Sequence, residues 1–135
     1  MADAKINYSR ARDEFEATLK EQPAEAAWIS AYLAETYAGL GERERSLSLA
    51  NRAVSLIPYS KDATVSPRLE EIRARIAARF GLIDPAIPLL DRLLKTPYYG
   101  PITPALLRLD PDFDPLRGDP RFEKLASQTE PNPSK

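Results

Sequence analysis

Proline is placed selectively along this chain. Nearly all of its 13 prolines stand where a helical pattern starts or stops. Between them, apolar residues recur every three or four positions rather than every two, which is the period of a helix. A proline inside a helix removes a hydrogen bond and clashes with the preceding turn, whereas in the first turn it costs nothing. The chain is thereby restricted to short helices with fixed ends, an all-α fold.

Five helices follow from this pattern. The first is expected over about 4–21, with Ala11, Phe15 and Leu19 on one face and Pro23 beyond its end. The second, about 24–39, carries Trp28, Ile29, Tyr32, Leu33 and Tyr37, and Gly41 suits a left-handed cap. The third, about 43–57, buries Leu47, Ala50, Val54 and Ile57 before Pro58. A polar connection then reaches Ser66-Pro67, read as an N-cap followed by a first-turn proline. The fourth, about 67–80, uses Leu69, Ile72, Ile76 and Phe80 and stops at Gly81. Asp84-Pro85 repeats the start, and the fifth, about 85–95, buries Ile87, Leu90 and Leu94. Pro88 is expected in its first turn, so that no helix holds a proline in its middle.

Composition narrows the function. The 135 residues suit one domain that buries roughly two-thirds of its unfolded surface. Histidine is absent, which excludes a Ser-His-Asp triad, a His-ligated zinc and a phosphohistidine relay. Cysteine is absent too, so there is no disulfide, and a reducing, cytoplasmic location is expected. The glycines are scattered singly, with no phosphate-binding loop. A net charge of −1 gives no bulk attraction to nucleic acid or membrane. No apolar run approaches the roughly 18 residues needed to span a bilayer, and the N-terminus lacks the apolar core of a signal peptide. Nothing gathers catalytic residue types, so no enzyme and no cofactor is expected.

The segment "LRLDPDFDPLRGDPRFEKL", residues 107–125, holds three alternating aspartates, Asp110, Asp112 and Asp114. A calcium loop would need a glycine at the sixth position and a glutamate at the twelfth, where Pro115 and Arg121 stand. No metal site is therefore expected. Turns and caps account for the aspartates through side chain–backbone bonds. Thr103-Pro104 and Asp119-Pro120 each start a short helix. Leu106, Leu107, Leu109, Phe113, Leu116, Phe122 and Leu125 are too many apolar groups for a free tail, and are expected to cover the exposed face of the fifth helix. Residues 127–135 have no apolar content and are expected to be disordered.

The helices repeat. "ARDEFEATLKEQP", "SLSLANRAVSLIP" and "AIPLLDRLLKTP" align on their terminal prolines as second helices of helix pairs. Their partners close on Gly41 and Gly81, 40 residues apart, which fits a unit of about 34 residues with "KDATVS" inserted. Leu33, Tyr37, Gly41, Ala53 and Pro58, and then Gly81, Ala86, Leu90, Leu94 and Pro97, resemble the tetratricopeptide repeat family. The likeness covers about residues 4–97, with Ala34, Ser46 and Ala77 standing where glycine, alanine and tyrosine are usual. The final "LRLDPxxDPLRxDPRF" resembles the C-terminal repeat segment of large bacterial proteins. In those, repeats follow a Ser/Thr kinase, a nucleotide cyclase or a transcription-regulator domain.

The resemblance implies a right-handed solenoid. Its parts would be a half-repeat at about 4–23, repeats at about 24–60 and 66–97, and a cap at about 98–126. An open solenoid end needs such a cap. The resemblance also implies an inner groove on the first helix of each pair, for protein or peptide binding. The candidate groove residues are Trp28, Ala31, Tyr32, Glu35, Arg68, Glu71, Arg75 and Arg79. The arginines suit an acidic partner, since a guanidinium forks around carboxylates. The plainer readings are core packing for Trp28 and Tyr32, and a solvated face with a Glu71–Arg75 ion pair for the rest. Ala31 and Glu35 stand where the carboxylate clamp of chaperone-binding members needs Lys and Asn, so chaperone-tail binding is not expected. In "PYYGP", residues 97–101, the tyrosines are either a surface patch or the anchor of the cap. Starting on a half-repeat suggests a fragment of a larger signalling or regulatory protein. A second reading has the unpaired first helix mate with a second copy, making a homodimer.

Overall fold

The computed structural model describes residues 25–129 and, before them, residues 7, 9–14 and 17. All regular structure in these residues is helical. Helices α1 (Ala26–Gly39) and α2 (Arg43–Leu56) form one hairpin, and α3 (Ser66–Arg79) and α4 (Ile83–Leu94) form a second. Helix α5 (Pro104–Leu109), a 3-10 helix (Pro111–Leu116) and α6 (Pro120–Ala126) complete the chain. Residues 9–14 are helical as well. Phe15, Leu19 and Pro23 of the expected first helix lie outside the described residues, and so does its pairing with a second copy.

The two hairpins turn in the same way because a glycine stands at the same place in each. Gly41 has φ of 74° and Gly81 has φ of 68°, a left-handed conformation that a Cβ disfavours. The N–H of Glu42 reaches back to the Tyr37 carbonyl at 2.9 Å, and that of Gly41 to Ala38 at 3.0 Å. Leu82 to Ala77 and Gly81 to Ala78, both 2.9 Å, repeat the arrangement. This double bond pattern satisfies carbonyls that a helix end leaves bare, and releases the chain directly into the next helix.

That release moves two expected helix starts. Helix α4 begins at Ile83, its first bond running from the Ala86 N–H to the Leu82 carbonyl at 3.1 Å. Asp84 is therefore inside the first turn and is no N-cap, and Pro88 is an interior proline rather than a first-turn one. Ser66 likewise lies inside α3, with its hydroxyl buried and unpartnered. Asp62 does the capping instead, accepting from the N–H groups of Thr64 at 2.8 Å and Val65 at 2.9 Å. The later starts follow the expectation: Thr103 accepts from the Leu106 N–H at 3.1 Å and Asp119 from the Arg121 N–H at 2.9 Å.

Small residues let the helices approach closely. Ala27, Ala31, Ala53 and Leu69 form one buried cluster, and Ala34, Ala38, Ala50 and Ile76 another. Ser46 and Ala34, both departures from the repeat pattern, meet directly: the Ser46 hydroxyl donates to the Ala34 carbonyl at 2.7 Å.

The C-terminal segment does more than cover α4. Ile102, Leu107, Phe113, Leu116, Phe122, Leu125 and Ala126 share one core with Ala74, Ala77 and Ala78 of α3 and with Ala86, Leu90 and Leu93 of α4. Ala77 is the counterpart of Tyr37, 40 residues on. Tyr37 fills its own site, whereas Ala77 leaves room that Phe113 and Leu116 share. Leu109, expected in this core, is 80% exposed, because so short a helix buries only the face bearing Pro104 and Leu107. Ser127 and Gln128, in the expected tail, bond back to Glu123 and Leu125, and residues 130–135 lie outside the described residues. No helix among the described residues is long and apolar enough to cross a membrane.

Because Phe113 is fully buried between the hairpin and the cap, Phe113→Ala should cost about 3–5 kcal/mol in urea unfolding. Leu109→Ala should stay within about 0.5 kcal/mol of the parent chain. Equal effects at the two positions would mean that the cap is not part of the core.

Candidate functional site

Spacing along α3 puts Arg68, Glu71, Arg75 and Arg79 on one side of the helix. Arg75 is the hub. Its Nε donates to Glu71 Oε2 at 2.9 Å, and its Nη1 donates to Asp110 Oδ2 at 2.7 Å and to Asp112 Oδ2 at 3.1 Å. Its guanidinium carbon lies 5.2 Å from the centroid of the Phe113 ring, a cation–π distance. Glu71 is held from the other side, its Oε1 accepting from the Tyr98 hydroxyl at 2.7 Å. The Tyr98 oxygen in turn accepts from the Ile102 N–H at 3.0 Å. Tyr98 is thus the anchor of the "PYYGP" loop, while Tyr99 is 90% exposed.

The electrostatics match this geometry. Burial opposes the charge on Arg75, but its bonds to Asp110 and Glu71 more than reverse that and hold its pKa above the ordinary arginine value. Burial alone would raise the Asp110 carboxyl; the bonds from Arg75 and the Asp112 N–H hold it below its ordinary value. Burial pushes the Tyr98 hydroxyl well up, the Ile102 N–H pulls it down, and the Glu71 carboxylate adds to the rise.

The alternating aspartates do not converge on a common point. Asp110 and Asp112 face Arg75, while Asp114 accepts from Arg117 Nε at 2.8 Å. Asp110 also caps the 3-10 helix through the Asp112 N–H, as the turn reading expected. Arg117 closes the back of the cap, donating to the carbonyls of Leu107 at 3.2 Å and Asp110 at 3.1 Å.

The expected groove is therefore only partly open. Glu71 and Arg75 are engaged by the chain's own cap, and the acidic segment expected from a partner is supplied in cis. Ala31 is fully buried among Ala27, Ala53 and Leu69 and lines no groove, because its side of α1 faces the neighbouring helices. Trp28 is half-buried against that cluster and stacks on Tyr32, ring centroids 6.1 Å apart and planes at 27°. Tyr32 is 49% exposed. Glu35, Arg68 and Arg79 are exposed, and none forms an ion pair among the described residues. The Glu35 carboxyl is pushed above its ordinary value by loss of water around it; Arg79 and Arg75 oppose the shift and Asp112 adds to it. Tyr98, Asp110, Asp112 and Phe113 were not read as part of this face. Their traces in the sequence are the anchoring role open to "PYYGP", the apolar content of the cap, and Ala77, a small residue where the pattern wants a ring.

Comparison with protein-family models, with curated proteins and with solved structures finds no significant match to this chain.

Arg75→Met would strand three carboxylates. All four side chains keep some contact with water, so the loss should fall below that of a fully buried pair, at about 1.5–3 kcal/mol by urea unfolding. The lowered Asp110 pKa also fixes the pH dependence. A depressed acid contributes stability that is full above its unfolded pKa, about 4, and lost as pH falls through the folded value. The stability gap between the parent chain and Asp110→Asn should accordingly be constant near neutrality and shrink below about pH 4. A gap that widens on acidification would contradict the clamp.

Proposed function

We propose that this chain is a non-catalytic, protein-binding helical-repeat module of the tetratricopeptide kind, serving a bacterial signalling or regulatory protein. The repeat reading is supported by the two hairpins, which share one turn geometry at glycines 40 residues apart. It is supported also by the buried positions, which recur with the same offset: Ala34 and Ala74, Ala38 and Ala78, Ala50 and Leu90, Ala53 and Leu93. Repeats of this sort bind partners on surfaces shared between neighbouring helices.

One observation carries the binding reading. Trp28 and Tyr32 form a stacked pair, with Tyr32 half exposed and Trp28 packed on the cluster of Ala27, Ala31, Ala53 and Leu69. Aromatic anchors held in one orientation lose little entropy on binding, and such residues dominate interface energetics. A photo-crosslinking residue at position 32 should trap a protein partner in cells, while the same residue at exposed position 52 on α2 should not. Equal trapping at both positions would remove the assignment.

A further inference from the structure

We infer that the open part of this face takes an acidic segment of a partner protein, with a carboxylate on Arg68 and an apolar side chain on the Trp28–Tyr32 pair. The inference rests on the protein-binding reading and names the chemistry of the partner. The face already displays its preference in cis. Arg75 holds two aspartates of "LDPDFD", residues 109–114, and lies over the phenylalanine that follows them. Arg68 stands two turns before Arg75 on the same side of α3, exposed and without an ion pair among the described residues. Its partners are absent for a geometric reason. Glu71, the nearest carboxylate on its own helix, is already taken by Arg75 and Tyr98. The guanidinium borders the "PYYGP" loop, where a Cβ at Gly100 would make an ordinary contact of 3.7 Å with Arg68 Nη1. Trp28 packs on the cluster that holds Leu69, the residue after Arg68, and its helix α1 lies in contact with α3. Arg68 and Arg79 stand against the single carboxylate of Glu35 among the exposed charges of this face, a balance that fits an acidic segment better than a basic one.

Trp28 is the chain's single tryptophan, so its fluorescence reports on this patch directly. The probe is the blocked peptide Leu-Asp-Pro-Asp-Phe-Asp, titrated into the full chain beside analogues with every aspartate replaced by asparagine or by lysine. The tethered cap keeps Arg75 occupied at high effective concentration, so the free peptide reads the remaining face. The acidic peptide should bind at least about tenfold more tightly than the asparagine analogue, since charge-assisted bonds exceed neutral ones by about that factor. Arg68→Glu should erase that preference. Arg52→Glu, the same charge change on exposed α2, should preserve it. Helical circular dichroism of both variants should match the parent. Equal binding of acidic and asparagine peptides, or preference for lysine, would overturn the acidic partner and leave the binding face standing. No fluorescence response to any peptide, with crosslinking from position 32 retained, would also overturn it. Loss of the crosslinks as well would remove the protein-binding reading itself.

Discussion

Three alanines on α3 govern the shape of the second half of this molecule. Ala74, Ala77 and Ala78 leave a shallow bed where the first hairpin has the ring of Tyr37. A bed of methyl groups cannot remain open to water without cost, and Phe113 and Leu116 of the cap complete it. Burying Phe113 then brings Asp110 and Asp112 over α3, where Arg75 meets them 35 and 37 residues away in the chain. The apolar contact takes Phe113 and Leu116 out of water, while the ion pairs fix how the cap lies. A guanidinium that bonds three carboxylates and covers a ring admits one orientation of the segment above it.

That arrangement changes how the charged face is understood. A row of arginines on a helix invites a search for an acidic ligand, and the ligand of its central member is part of the same chain. Glu71 completes the arrangement by facing two ways, toward Arg75 and toward Tyr98, so that the loop entering the cap and the cap itself are tied to one carboxylate. Tyr32 of the aromatic pair on α1, together with Arg68 and Arg79, stays exposed.

Much of the helical pattern was legible from local chemistry alone. Gly41 suits a left-handed cap and Gly81 a helix stop, and both adopt left-handed backbone. Thr103 and Asp119 cap the helices they precede, and their capping bonds involve only residues two or three positions away. The misplaced starts share a different cause. Ser66 and Asp84 have the right side chains, but the turn before each had already launched the helix: Asp62 in one case and the glycine-centred turn at 80–82 in the other. When two start signals lie within four residues, the earlier one nucleates, and the later residue is carried into the helix. Pro88 became an interior proline for the same reason.

The sequence by itself determined the helices, their order, their glycine turns and the apolar content of the cap, because period, capping and backbone restriction act over a few residues. Only the tertiary structure decided where the cap lies and therefore which face is free. Asp110 reads equally well as a turn residue or as a partner for Arg75, and it is both. The choice depends on Phe113 finding the space left at Ala77, a long-range contact whose energy no local pattern contains.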